Sequence, residues 1–227
     1  MDWHEAVDAH GFAILPGRFS PDYLDRLLQE ISELAQQRSR AGIRHALGLA
    51  PVAKLARQPQ MIDLAREALG PDAFPFRATL FDKSPAANWL VVWHQDTALP
   101  LRARIETPGW GPWSVKDGIR YAHAPAAALS KVVALRVHLD DSSAKNGPLR
   151  VLPGTHTLGV LTDDSVHEVA TRIAPVDCVA AKGAVVAMRP LILHASSKSH
   201  EEAPRRVLHI EYAEPDSVEP PLELAIT

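Results

Sequence analysis

Asn146-Gly147-Pro148-Leu149-Arg150-Val151-Leu152-Pro153-Gly154 holds a short apolar run between two turn signals. Glycine supplies positive φ at no steric cost, and proline cannot donate to a strand ladder, so both ends of the run are punctuated. What lies between them is too short for a helix and reads as a strand. The same texture repeats on either side. Runs at 74–81, 89–93, 132–139, 169–173, 184–188 and 207–212 are short and apolar or β-branched, and Pro85, Lys182-Gly183 and Pro204 help bound them. Many short strands at this spacing predict a β-sandwich or jelly roll, which encloses a pocket between its sheets.

Upstream the pattern is helical. Ser20-Pro21 sets an N-cap before a proline at the first helical position, and Leu24, Leu27, Leu28, Ile31 and Leu34 recur at helical spacing towards Gly42. A second helix carries Met61, Ile62, Leu64, Ala65 and Leu69 and closes at Gly70-Pro71. Residues 11–16 read as a short strand. The expected architecture is therefore mainly β with flanking helices (α+β), a jelly-roll or double-stranded β-helix core in one domain over 1–227. Its helical part is 1–71 and its β core 72–213. Residues 97–130, rich in proline and glycine, are expected to be a lid loop. That loop carries Arg102, Arg104, Lys116 and Arg120 against Glu106 and Asp117.

Composition narrows the function classes. The 227 residues are 46% hydrophobic and 22% charged, as in ordinary globular chains. A formal net charge of −3 offers no global field for nucleic acid or an anionic membrane. The single cysteine, Cys178, excludes an internal disulfide and a Cys-rich zinc site and suits a reducing cytoplasm. The most apolar stretch, 124–139, is interrupted by Ser130, Lys131 and Arg136, so no membrane span is expected, and the acidic start of the chain does not read as a secretory signal. A soluble, cytoplasmic protein with a small-molecule partner is the expectation.

Eleven histidines and nineteen prolines stand out, so position must select among the histidines. Trp93-His94-Gln95-Asp96 offers an imidazole and a carboxylate two residues apart at the end of a run. His194, one hundred residues later, ends another apolar run. Two histidines and one carboxylate can form a facial triad that leaves metal positions open for a co-substrate and oxygen. Arg205, eleven residues beyond His194, can grip a carboxylate with two parallel hydrogen bonds.

With these residues in view, the chain resembles the phytanoyl-CoA dioxygenase-type members of the iron(II)/2-oxoglutarate oxygenases. The matching pieces are Gly11-Phe12-Ala13-Ile14-Leu15-Pro16-Gly17, Trp93-His94-Gln95-Asp96, the run from Asn146 to His156, Leu193-His194-Ala195-Ser196 and Pro204-Arg205-Arg206. The resemblance implies a double-stranded β-helix with Fe(2+) and 2-oxoglutarate between its sheets and O2 as oxidant. It implies iron ligation by His94, Asp96 and His194, and a hold on the 2-oxoglutarate tail by Arg205. Thr79, Gln95 and Ser196 fall where members contact the keto acid, and Arg136 falls where some place a tryptophan. Members that halogenate carry a small residue in place of the carboxylate, so Asp96 favours oxygen transfer. The implied reaction is hydroxylation of a small molecule with release of succinate and CO2. Desaturation, cyclisation or epimerisation on the same cofactors, or a non-catalytic jelly-roll binding protein, are the alternatives.

Trp110, Trp113 and Arg120 in the expected lid, with His138 and His156, are the further substrate candidates. The lid's positive charge and flat rings point to a substrate carrying an acidic group. Bland roles compete at several of these positions: the tryptophans can pin the lid, His138 can be an interior histidine, and His156 can brace its loop. His209 is expected to pack and hydrogen-bond, Arg206 to be structural and Cys178 to be an inert thiol.

Overall fold

The computed structural model describes residues 2–35, 42–85 and 87–227. Helix α1 (Trp3–His10) leads into strand β1 (Phe12–Leu15), and α2 (Pro21–Leu34) precedes the short β2 (Gly42–Ile43). Helices α3 (Ala50–Ala56) and α4 (Pro59–Leu69) complete the N-terminal part. The chain continues through β3 (Phe74–Lys83), β4 (Val91–His94), β5 (Ala98–Leu101), β6 (Trp113–Lys116) and β7 (Ile119–His123). Helix α5 (Ala126–Leu129), β8 (Val132–His138), β9 (Leu149–Val151) and α6 (Asp163–Arg172) follow. Strands β10 (Val176–Cys178), β11 (Val185–Met188), β12 (His194–Ser196) and β13 (Arg205–Ala213) finish the sheets.

The strands form a six-stranded sheet, β1-β11-β8-β13-β3-β2, a four-stranded sheet, β10-β9-β12-β4, and a three-stranded sheet, β5-β7-β6, all antiparallel. The first two face each other as a jelly roll. Strand periodicity gives the large sheet two unlike faces. Val133, Leu135 and Val137 of β8, Leu208, Ile210 and Tyr212 of β13, and Ala78 and Leu80 of β3 point outward into a core closed by Leu24, Leu27 and Ile31 of α2, Leu55 of α3 and Met61 of α4. The alternate positions, Arg136 and His138 on β8, Arg205, His209 and Glu211 on β13, and Lys83 on β3, turn inward and are buried. Part of the space between the sheets is filled by an apolar cluster of Ala134, Val186 and Met188 with Leu149 and Val151, and the buried polar side chains beside it mark the rest as a site.

The α2 start is as the sequence predicts: Ser20 Oγ accepts from the Tyr23 amide ahead of Pro21. The helix ends at Leu34, and the remaining stretch towards Gly42 lies outside the described residues. The loop expected at 97–130 is instead the three-stranded sheet followed by α5, with Leu99, Leu101, Tyr121 and Ala122 buried. The strand expected at 169–173 is instead mostly the end of α6. Thr162 caps that helix and Asp163 and Asp164 sit in its first turn, so its start signals outweigh the strand preference of Val169 and Ile173. In the opening turn, Gly147 adopts φ +68°, and a Cβ there would come within 2.2 Å of the Ser197 carbonyl oxygen. The turn is a glycine turn because two backbones meet there. No helix among the described residues is long and apolar enough to cross a membrane.

Candidate metal centre

His94 ends β4 and His194 begins β12, and the two residues pair directly across the antiparallel ladder. Their rings lie 4.2 Å apart between centroids at an interplanar angle of 50°. Period-two alternation places His94 and Asp96 on one side, and the Asp96 amide is tied to the Pro190 carbonyl at 2.9 Å. One donor atom from each of His94, Asp96 and His194 lies within 4.8 Å of the others. The separations are 3.8 Å from His94 Nε2 to Asp96 Oδ1 and 3.5 Å from His194 Nε2 to Asp96 Oδ2. These are too long for hydrogen bonds and suit donors facing a shared ion.

Each Nδ1 meets a carbonyl, Val92 at 2.8 Å for His94 and Ile192 at 2.9 Å for His194. That contact holds the proton on Nδ1 and turns the Nε2 lone pair inward, as a metal-ligating imidazole requires. Burial pushes His194 down to about 4 against the pull of Asp96, so the ring is neutral. Burial pushes Asp96 up, but His194, His209, His94 and Arg77 outweigh it and hold the carboxyl well below the usual range. Two imidazoles and one carboxylate are a fitting donor set for iron(II).

A cavity of about 110 Å³ opens beside the triad, and its walls include Phe81, Lys83, Trp89, Arg136, Ser196 and Arg205. Lys83 Nζ donates to Ser196 Oγ at 2.8 Å and to the Ser197 carbonyl. Ser196 Oγ donates to the Gly147 carbonyl at 2.8 Å, so the opening turn braces the cavity wall. Arg205 spends its Nε on the Asn146 carbonyl at 3.2 Å. Among the described residues, Lys83, Arg136 and Arg205 make no ion pair with a carboxylate. Asp140, the acidic group beside Arg205, is taken by a two-pronged pair with Arg206 at 2.7 Å. Burial and Arg205 push Lys83 down to about 8, and burial and Arg136 push Arg205 down to about 10. Three buried cations that make no ion pair among the described residues fit a small dianion.

The other sequence candidates divide sharply. Gln95 points the opposite way from its neighbours and braces a loop, donating to the Gly159 and Leu191 carbonyls and accepting from the Leu161 amide, each at 2.8 Å. Thr79 pairs with His209 on the inner face but does not line the cavity. Trp110 and Trp113 pack on the second apolar core, beneath the three-stranded sheet. Arg120 is exposed on that sheet. His156 contacts the Asp8 carbonyl at 3.0 Å, away from the cavity. These side chains are not part of the metal-side cavity. His138 is buried beside Arg136 and Arg205 without a hydrogen-bond partner among the described residues, and burial pushes it down to about 3. Cys178 is buried, its thiol pushed up to about 12. Lys83 is the residue that motif reading missed. A lysine closing a strand reads as solvent-facing, and only the register opposite Arg205 marks it as inward.

A family model described as phytanoyl-CoA dioxygenase (PhyH) matches residues 7–207. The chain belongs to the phytanoyl-CoA dioxygenase family. It is 29% identical over 188 residues to the L-proline trans-4-hydroxylase of Streptomyces griseoviridis, covering 70% of this chain and 62% of that one. It is 29% identical over 166 residues to the ectoine dioxygenase of Nocardia farcinica, covering 66% of this chain and 48% of that one. The chain thus spans between about half and three fifths of the length of these curated relatives. Its fold matches EctD from S. alaskensis, solved with 2-oxoglutarate and 5-hydroxyectoine, at a TM-score of 0.71 and 20% identity, covering 94% of this chain and 76% of that one. As a family member it has the jelly roll that the alternating strands predict.

Proposed function

We propose that the protein is an iron(II)- and 2-oxoglutarate-dependent dioxygenase that hydroxylates a small molecule. The observation that carries this reading is one cavity lined both by a two-histidine, one-carboxylate cluster and by three cations that make no ion pair among the described residues. His94, Asp96 and His194 would hold the metal. Arg205, with Lys83 and Ser196, would hold the distal carboxylate of 2-oxoglutarate, and Arg136 lies nearer the metal ligands. Iron(II) and 2-oxoglutarate, when bound, would activate dioxygen, the oxidant, so that one oxygen atom goes to the substrate and the other to succinate, with release of CO2. The chain's own share is orientation: fixed histidine tautomers, a carboxylate kept ionised and a partly closed cavity that limits water. An L-proline trans-4-hydroxylase and an ectoine dioxygenase among the relatives support a small substrate and hydroxylation.

The substrate of this reading carries an acidic group, drawn by the cations of residues 97–130. Of the four cations in 97–130, Arg102 pairs with Glu223 and Arg104 with Glu106, whereas Lys116, 4.8 Å over the Tyr121 ring, and the exposed Arg120 make no ion pair among the described residues. The buried free thiol of Cys178 supports a cytoplasmic location.

Anaerobic addition of iron(II) and 2-oxoglutarate tests the assignment. A visible charge-transfer band is expected in the wild type and not in His94→Ala or His194→Ala. Arg205→Lys should weaken 2-oxoglutarate binding by more than tenfold, because an ammonium lacks the guanidinium fork. Arg206→Ala should leave it unchanged, since that side chain is committed to Asp140. A folded wild type without the band overturns the oxygenase, and a larger defect in Arg206→Ala overturns the choice of arginine.

A further inference from the structure

Arg136 is buried, charged and incompletely satisfied. Its side chain lines the cavity, and the residue is 7% exposed. One terminal nitrogen donates to His209 Nδ1 at 2.8 Å, while Nε finds no acceptor among the described residues. A buried guanidinium with an idle donor marks a group that the chain itself does not supply.

The surroundings hold Arg136 in that pose. His209 turns Nε2 towards Glu211, 3.7 Å away, and Glu211 is gripped at both oxygens by Arg77. Arg77 in turn donates to the Ala98 carbonyl at 2.9 Å, at the start of β5. This chain of contacts favours the His209 proton on Nε2 and leaves Nδ1 free to accept from Arg136. The Phe81 ring lies 5.5 Å from the guanidinium carbon. The backbone places Arg136 between the two ends of the cavity. It pairs through His209 at mid-strand on β13, four residues beyond the Arg205–Lys83 pair. Its field reaches His194 and Asp96 on one side and Arg205 on the other.

We propose that Arg136 clamps the metal-side carboxylate of the keto acid, so that the cavity is a two-ended dicarboxylate site that fills without metal. This rests on the 2-oxoglutarate reading above. One carboxylate meets Arg205, Lys83 and Ser196, and the other meets Arg136. Neither contact needs the keto oxygen, so glutarate, the five-carbon dicarboxylate that lacks it, occupies the same site and competes with 2-oxoglutarate.

Titration calorimetry on chelator-treated, metal-free protein tests this with 2-oxoglutarate, glutarate and 2-oxobutyrate, which lacks the distal carboxylate. Both dicarboxylates should bind, and 2-oxobutyrate should bind at least tenfold more weakly. Arg136→Leu should lose at least tenfold in affinity for both dicarboxylates, with Arg136→Lys in between and circular dichroism unchanged. Absence of glutarate binding to metal-free wild type overturns the proposal, as does wild-type affinity in Arg136→Leu. The wild-type arm decides even if Arg136→Leu fails to fold. The anaerobic iron(II) band separates the two readings. A band without metal-free binding removes the clamp alone, whereas loss of both removes the co-substrate assignment and the clamp with it.

Discussion

Lys83 shows how one buried charge couples binding to pH. Burial and the nearby Arg205 push it down to about 8 from an ordinary 10.5. In the ligand-free protein the ammonium is therefore lost as pH rises through about 8. Dicarboxylate affinity should fall across that step, and Lys83→Met should flatten the profile; an unchanged profile in that variant would remove Lys83 from the site. Linkage gives a second readout of opposite sign. Between about 8 and 10.5 the unfolded chain holds more protons than the native one at this position, so its penalty on ligand-free stability is relieved as pH rises through that window. The same lysine thus weakens the empty protein and strengthens the filled one.

At the scale of elements, the three-stranded sheet formed by β5, β7 and β6 replaces a supposed lid. Leu99 and Leu101 are each 1% exposed and Tyr121 is 3% exposed, with its hydroxyl 2.9 Å from His45 Nε2. Limited proteolysis should therefore spare 113–123 with or without iron(II) and 2-oxoglutarate, and any cuts should fall within 102–112. Ligand-dependent protection spread over 100–125 would restore the lid. The misreading has a physical cause. Pro100 lies inside β5, and proline is tolerated there because the strand is at a sheet edge, but in a sequence it argues against a strand. The His94, Asp96 and His194 cluster is legible for the opposite reason. His94 closes β4, Asp96 follows two residues later with its carboxylate on the same side, and His194 sits opposite His94 on the partner strand, so spacing and geometry agree. Gln95 carries the same arithmetic with the other sign: an odd step along a strand faces away. Trp110, Trp113 and His156 were not decidable by spacing, because loop and turn residues have no periodicity to fix their direction.

Over the whole molecule, the large sheet separates stability from function across its thickness. Its outer face is apolar and closed by helices, while its inner face holds cations over a cavity. Leu135 and Arg136 are neighbours on β8 that point to opposite sides. Leu135→Ala removes a fully buried side chain from the helical core and should cost about 2–4 kcal/mol of unfolding free energy. The metal-free dicarboxylate affinity of the remaining folded protein should be unchanged. Arg136→Leu should do the reverse. It removes a buried charge that has no carboxylate partner among the described residues and replaces it with apolar volume, a change that is often neutral or stabilising. The ligand-free variant should unfold at or above the wild-type denaturant midpoint while its dicarboxylate binding collapses. Adding 2-oxoglutarate should then raise the wild-type midpoint and leave that of Arg136→Leu nearly still, since only a ligand that binds the native state can stabilise it. A marked loss of ligand-free stability in Arg136→Leu would show instead that the arginine is part of the scaffold, held there by His209 and Phe81 for packing.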